Sequence, residues 1–273
     1  MLFLTGIRIM QFNPSIALPL LKIRARRTVR RILWPRPALY WPVGVVRNRG
    51  NVFGSDIHLY ISGYPRSGNT FARTAFLMAN PGLRIRSHRH IPAFVLRAIE
   101  LGRPGMLLIR NPLDAAISWA IYQRQTLEQT VAYWNDFHEV LKPVQSDLFF
   151  VRYEDVVADF GSVMGAFNRN WGTDYRPFEH TKESAAQCFA SIDDEYRSPD
   201  GQILEMQVSR PSAQRIPARE ELLERLQHSS FLREELARAN ELYGKFTKQL
   251  ESAVRGEDPA PSEQRSTRTA LVA

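Results

Sequence analysis

Short unbroken apolar runs take turns along this chain with longer stretches whose apolar residues recur three or four apart. Ile57–Ser62 is one such run, ending in a glycine-bearing loop, and it predicts a buried strand. Phe71–Met78 follows with helical character until Asn80-Pro81-Gly82 stops it. Met106–Ile109 predicts a second strand, ended by Arg110-Asn111-Pro112. Asp114 then stands where a helix N-cap is expected, ahead of Ala115–Tyr122. Over Leu127–Leu141, the residues Val131, Trp134, Phe137, Val140 and Leu141 fall near one helix face. Leu148–Val151 predicts a third strand. Asp159 then offers a cap for a helix that carries Val163, Phe167 and Trp171 and closes at Gly172. Residues 193–217 have no period and predict a long loop, Glu220–Leu250 predicts a charged helix, and residues 251–273 predict a disordered tail. Strands alternating with helices predict an α/β fold, a central parallel sheet with helices on both faces.

The first fifty residues have a different character. From Leu20 to Leu33 the apolar residues Leu21, Ala25, Val29, Ile32 and Leu33 have the spacing of one helix face, with arginines around the rest. Two readings stay open: a basic amphipathic helix lying on an anionic membrane surface through residues 20–33, or a packed extension with solvated arginines. Trp34, Pro35, Tyr40, Trp41 and Pro42 follow as an aromatic, proline-broken stretch suited to capping the core. The formal charge is +8 over 273 residues, yet residues 1–50 hold ten basic side chains and no Asp or Glu. The remaining residues carry 26 basic and 28 acidic side chains, so the basicity belongs to the arm, and a nucleic-acid partner is not expected. The expected organisation is an arm over 1–50, a catalytic body over 51–250 that folds without residues 1–33, and the tail.

Hydrophobic content of 44% and charged content of 23% exclude a wholly disordered, collagen-like or coiled-coil chain. The lone Cys188 excludes an internal disulfide framework and any cysteine-rich zinc module. It favours a reducing compartment, so a cytoplasmic protein, or one peripheral at a membrane, is expected. No apolar run reaches the roughly 18–20 residues that span a bilayer.

Between the first strand and its helix lies Gly63-Tyr64-Pro65-Arg66-Ser67-Gly68-Asn69-Thr70. This is the G-x-x-x-x-G-x-T frame of a phosphate-binding loop, with Asn69 where a nucleoside triphosphatase needs its lysine. Consecutive backbone N–H groups at a helix N-terminus form an anion nest, and Gly68 lets that backbone approach a ligand closely. Arg66 offers positive charge inside the loop, and Thr70 adds a hydroxyl.

The segment Tyr64 to Phe71 resembles the 5′-phosphosulfate loop of the sulfotransferase family. Arg110-Asn111-Pro112-Leu113-Asp114-Ala115-Ala116-Ile117-Ser118 is similar to that family's R-N-P-x-D-x-x-x-S element, and Tyr153-Glu154-Asp155 to its Y-E-D strand end. Together the likeness covers roughly Ile57 to Gly172. It implies a P-loop nucleotide-binding-like fold and a sulfotransferase that moves a sulfuryl group from 3′-phosphoadenosine 5′-phosphosulfate to a hydroxyl or amine. The acceptor is unnamed by the sequence, a glycan or a lipid being the classes considered, and the family uses no metal.

The resemblance further implies that Arg66, Ser67, Gly68, Asn69, Thr70 and Phe71 surround the 5′-phosphosulfate. Arg110 and Ser118 take the 3′-phosphate, where a guanidinium meets phosphate oxygens bidentately. Tyr153 lies by the adenine. The family often has lysine at the position of Arg66, which serves here as the cation for the leaving phosphate. Arg86-Ser87-His88 is similar to the K-T-H element whose histidine is the acceptor's base. His88 is the first choice, with His90, Glu100 and Glu128 as alternatives. His88 and His90 as a zinc pair lack a third ligand. No R-K-G element is present near the C-terminus, and Arg210 and Arg215 stand in for it. Trp119, Tyr122, Tyr133 and Trp134 are expected in the core rather than around a substrate. Two rival functions remain: a nucleotide kinase of related fold, and a non-catalytic membrane- or polyanion-binding protein with a relic nucleotide fold.

Overall fold

The computed structural model describes residues 14–40, 57–87 and 89–255. Four strands form one parallel sheet: β1 (Leu59–Gly63), β2 (Ile85–Arg86), β3 (Gly105–Ile109) and β4 (Phe149–Arg152), in the order β2-β1-β3-β4. Tyr60 lies opposite Gly105 and Ser62 opposite Leu107, while Leu108 lies opposite Val151. Successive side chains of a strand point to opposite faces. Leu107 and Ile109 accordingly enter one core layer, and Met106 and Leu108 the other. Burial on both faces is why these strands read as continuous apolar runs.

On one face lie α3 (Pro92–Glu100), α4 (Pro112–Gln123), α5 (Leu127–Leu141) and α10 (Ser230–Arg255), which bury Phe94, Ile117, Trp134 and Phe246 among others. On the other lie α2 (Asn69–Ala79), the short α6 (Tyr153–Ala158), α7 (Phe160–Trp171) and α8 (Lys182–Glu195), with Phe76, Val156, Phe167 and Ile192 in their core. The architecture is the expected one: a parallel α/β sheet with helices on both sides and a strand–loop–helix of phosphate-loop form at residues 63–70.

Several local readings need correction. The cap of α4 is Asn111, not Asp114: its side chain accepts from the amides of Leu113 (3.0 Å) and Asp114 (3.2 Å). Pro112, with no N–H to satisfy and its φ preset, fits the first helical position and so puts the cap one residue earlier. Residues 193–217 are not one loop, because α8 runs to Glu195, an isolated bridge joins Arg197 to Ile203, and α9 (Ile216–His228) begins at Ile216. The charged helix is two helices, split at Ser229, whose hydroxyl accepts from the Leu232 amide. Helix α10 continues to Arg255, and the rest of the expected tail lies outside the described residues. Asp159 does cap α7 through the Ser162 amide, and Gly172 closes it at φ 63°.

Helix α1 (Pro14–Leu33) packs on α5. Arg27 donates to Asp136 (2.8 Å) and makes a bidentate pair with Glu235 (2.9 and 2.6 Å), while Arg30 donates to the other oxygen of Asp136 (3.0 Å). Asn135 supports Glu235 at 2.8 Å. Two cations thus meet two buried carboxylates. Hydrogen bonding to Glu235 raises the pKa of Arg27 above its ordinary value. Burial of Glu235 opposes its ionisation, but the bonds from Arg27 and Asn135 outweigh this and hold its carboxyl below 4.5. Arg30 also lies over the rings of Trp34 and Tyr133. The basic arm is therefore anchored to the body at α1, by arginines that the sequence pattern left to solvent.

Candidate functional site

All three segments singled out in the sequence leave the C-terminal ends of adjacent strands: residues 63–70 after β1, 110–118 after β3, and Tyr153 after β4. That edge is where open parallel sheets bind ligands. An open cleft of about 450 Å³ lies there.

The loop is held by close packing. A Cβ on Gly63 would lie 2.4 Å from the Leu108 carbonyl oxygen, so only glycine permits this approach of β1 to β3. Gly68 has φ +90°, and a Cβ there would also meet the Tyr153 ring at 3.1 Å. Arg66 has φ +66°, a left-handed conformation that costs a non-glycine residue about 1–2 kcal/mol. Arg110 donates to its carbonyl at 2.9 Å and steadies that turn. Asn69, in the lysine position, is buried and spends its amide on the Tyr64 carbonyl (3.1 Å), bracing the loop rather than reaching out of it. Ser67 is fully buried and its hydroxyl has no partner among the described residues. Thr70 is buried in the first turn of α2 beside the cleft.

Basic side chains outnumber acidic ones along the cleft, where Asp114 is the acidic residue that lines it. Arg66, Arg110 and Arg215 all line the cleft, and none has a carboxylate partner among the described residues. Arg66 instead donates to the Ser118 hydroxyl (3.0 Å) and to the carbonyls of Gln207 (3.1 Å) and Val208 (2.6 Å). Burial, reinforced by the charges of Arg215 and Arg110, pushes its pKa down to about 10. Burial lowers Arg215 as well, the charge of Glu205 opposing this and those of Arg210 and Arg110 adding to it. Arg215 donates to the carbonyls of Val208 and Arg210. Arg110 lies over the Tyr153 ring, 4.1 Å from its centre, so one guanidinium touches both the loop carbonyl of Arg66 and the face of that tyrosine. Three guanidiniums gathered with hydrogen-bond partners that are uncharged have the chemistry to accept an anion of more than one charge.

Other expected residues fall elsewhere. Arg210 lines the cleft but is committed to Asp193 (2.6 Å) and Glu205 (2.8 Å), which neutralise it. Phe71 faces the core, its ring against Phe160, Phe178 and Phe189, because it starts the buried face of α2. His88 lies outside the described residues. His90 lines the cleft, with Nδ1 2.8 Å from the Gly63 carbonyl. A carbonyl only accepts, so Nδ1 donates its N–H to it. Glu100 is exposed and paired with Arg97, and neither it nor Glu128 lines the cleft.

Trp119 and Tyr122, expected in the core, stack on one another at 5.2 Å and line the cleft, with Arg66 5.4 Å from the Tyr122 ring. They are three residues apart on α4, hence on the face that Ser118 shares with the opening. Trp134 is in the core as expected. Arg219 also lines the cleft, paired with Asp114 at 2.7 Å; no spacing signal in the sequence points to it. Among the described residues no group of three or more His, Cys, Asp or Glu could hold a metal, and no helix is long and apolar enough to cross a membrane.

No protein-family model matches the chain, and no curated protein matches it. Among solved structures, the crystal structure of mouse sulfotransferase SULT7A1 complexed with PAP is similar at 16% identity and a TM-score of 0.41, covering 67% of this chain and 89% of that one.

Proposed function

We propose that the protein is a sulfotransferase, using 3′-phosphoadenosine 5′-phosphosulfate as donor and a hydroxyl-bearing acceptor. The observation that carries this reading is the trio Arg66, Arg110 and Arg215, none of them ion-paired to a carboxylate among the described residues, around a phosphate-loop frame whose lysine position is an inward-turned asparagine. The residues suit a ligand anionic at two ends. The amides of residues 67–70 and the Thr70 hydroxyl suit the 5′ end, and Arg110, Ser118 and Arg215 the 3′-phosphate. The donor, when bound, supplies an activated sulfuryl group.

His90 receives the acceptor's proton at Nε2 while Nδ1–H stays on the Gly63 carbonyl, which fixes the tautomer. The acceptor oxygen forms a bond to sulfur as the bond from sulfur to the 5′-phosphate oxygen breaks, and adenosine 3′,5′-bisphosphate leaves. Arg66 offsets the charge that develops on that phosphate. The stacked Trp119 and Tyr122 offer the acceptor a flat apolar wall.

Calorimetric titration with adenosine 3′,5′-bisphosphate tests the donor site. Wild type is expected to bind it, and Arg110→Ala to lose about 1.5–3 kcal/mol of that affinity. No binding, or the same affinity in the variant, overturns the assignment. Transfer of labelled sulfuryl to a mixed panel of glycans, lipids and phenols tests catalysis, and bisphosphate binding without transfer to any of them would favour a non-catalytic protein.

A further inference from the structure

Helix α1 is docked the wrong way round for a soluble protein. An amphipathic helix ordinarily buries its apolar stripe and turns its charges to water. Here the buried face is Ile23 with Arg27 and Arg30, the two arginines that pair with Asp136 and Glu235. The apolar stripe faces outward: Leu21 is 62% exposed, Val29 54% and Ile32 52%, with Ala25 exposed between them. Their spacing of four, four and three keeps them in line along the helix.

We infer that this outer face of α1 seats the protein on an anionic lipid bilayer. The charge pattern selects that partner. By helix geometry, the exposed Lys22 and Arg26 border one side of the stripe, and the exposed Arg24 and Arg31 border the other. An apolar strip with cations along both margins is the arrangement that lies in the plane of a membrane interface, apolar residues in the acyl boundary and bases at the headgroups. No acidic residue occurs in residues 1–50 to oppose it. Residues 51–273 carry 26 basic and 28 acidic side chains, so a second copy offers almost no net charge to attract this face. The inner ion pairs give the arrangement its purpose, because they hold the helix against α5 through Asp136 and α10 through Glu235, so that the stripe cannot roll inward. This inference is independent of what the cleft binds.

The test is sedimentation of the full chain with vesicles of phosphatidylcholine alone and of phosphatidylcholine mixed with phosphatidylglycerol. Wild type is expected to partition at least about tenfold more strongly onto the anionic vesicles, with high salt removing most of the difference. Leu21→Gln/Val29→Gln/Ile32→Gln is expected to lower binding to them by about tenfold or more. Arg24→Gln/Arg31→Gln is expected to lower it by about fivefold per charge and to leave binding to neutral vesicles unchanged. All these side chains are exposed, so melting temperature and bisphosphate affinity should stay at wild-type values, which separates this test from that of the cleft. Equal binding to both vesicles, binding to neither, or a triple variant that sediments like wild type would overturn the inference. So would light scattering that shows a dimer which the triple variant dissociates, for the stripe would then belong to a second copy.

Discussion

Arg27→Met removes the centre of the ion cluster that fastens α1 to the body. The lost side chain makes three hydrogen bonds to two carboxylates, all within 2.9 Å. Its own side chain is 14% exposed, those of Asp136 and Glu235 3% and 10%. Breaking a buried pair from one side costs about 3–5 kcal/mol, because the abandoned carboxylate stays buried. Arg30 remains on Asp136 and Asn135 on Glu235, so the lower end, about 3 kcal/mol, is expected at pH 7. For a chain of this size, with a urea slope of about 3 kcal/mol per molar, the unfolding midpoint should fall by about 1 M. Adding Glu235→Gln restores charge balance and should recover much of the loss. The folded pKa of Glu235 lies below its ordinary 4.5, so its stabilisation is complete above pH 4.5 and is lost as pH falls through the folded value. The gap between wild type and Arg27→Met should narrow in that acid range. A midpoint within about 0.2 M of wild type at pH 7, with an unchanged slope, would refute the anchoring of α1.

Other outcomes follow from the site and the core. His90→Ala is expected to cut turnover by about a hundredfold or more with bisphosphate affinity kept, and His88→Ala to leave turnover near wild type; the reverse pattern in a transfer assay would move the base to His88. Gly68→Ala should cost about 1–2 kcal/mol for its left-handed φ and displace Tyr153, so unchanged melting and bisphosphate affinity would contradict the packing described. His138 is fully buried, donates from Nδ1 to the Trp134 carbonyl, and is pushed by burial down to a pKa of about 3. Between pH 6.5 and 3 the unfolded chain binds the proton that the folded one refuses. Stability should therefore fall with pH there by up to about 1.4 kcal/mol per unit, and His138→Phe should remove that share of the slope. Equal slopes in urea titrations of the two would count against it.

What could be read from the chain divides along a physical line. Strands β1, β3 and β4 are buried on both faces and announce themselves as apolar runs, and α5 has the bounds its spacing predicts. Helix α8 went unread because it buries only Cys188 and Ile192 fully, although Thr181 and Ser184 form a capping box that marks its start. Helix α3 likewise begins at Pro92, a first-turn signal left unused. The stripe on α1 was legible, but not its direction: Arg27 finds its acids 109 and 208 residues away, and no local period encodes partners at that distance. In the site, the loop and Arg110 could be found because a glycine frame and an arginine at a strand end are local patterns in the sequence. The engagement of Arg210 by Asp193 and Glu205, and the turning of Trp119 and Tyr122 to the cleft, depend on how separate elements meet.

The amide of Asn69 that closes on the Tyr64 carbonyl also sets this loop apart from a phosphate loop with a lysine at that position. Its side-chain oxygen already lies 3.2 Å from where a Cβ on Gly63 would be, with the turn wrapped tightly about it. A lysine there would lose this brace, so Asn69→Lys is a change to the turn as well as to the charge. A comparison of letters at that single position would miss the brace it makes across the turn.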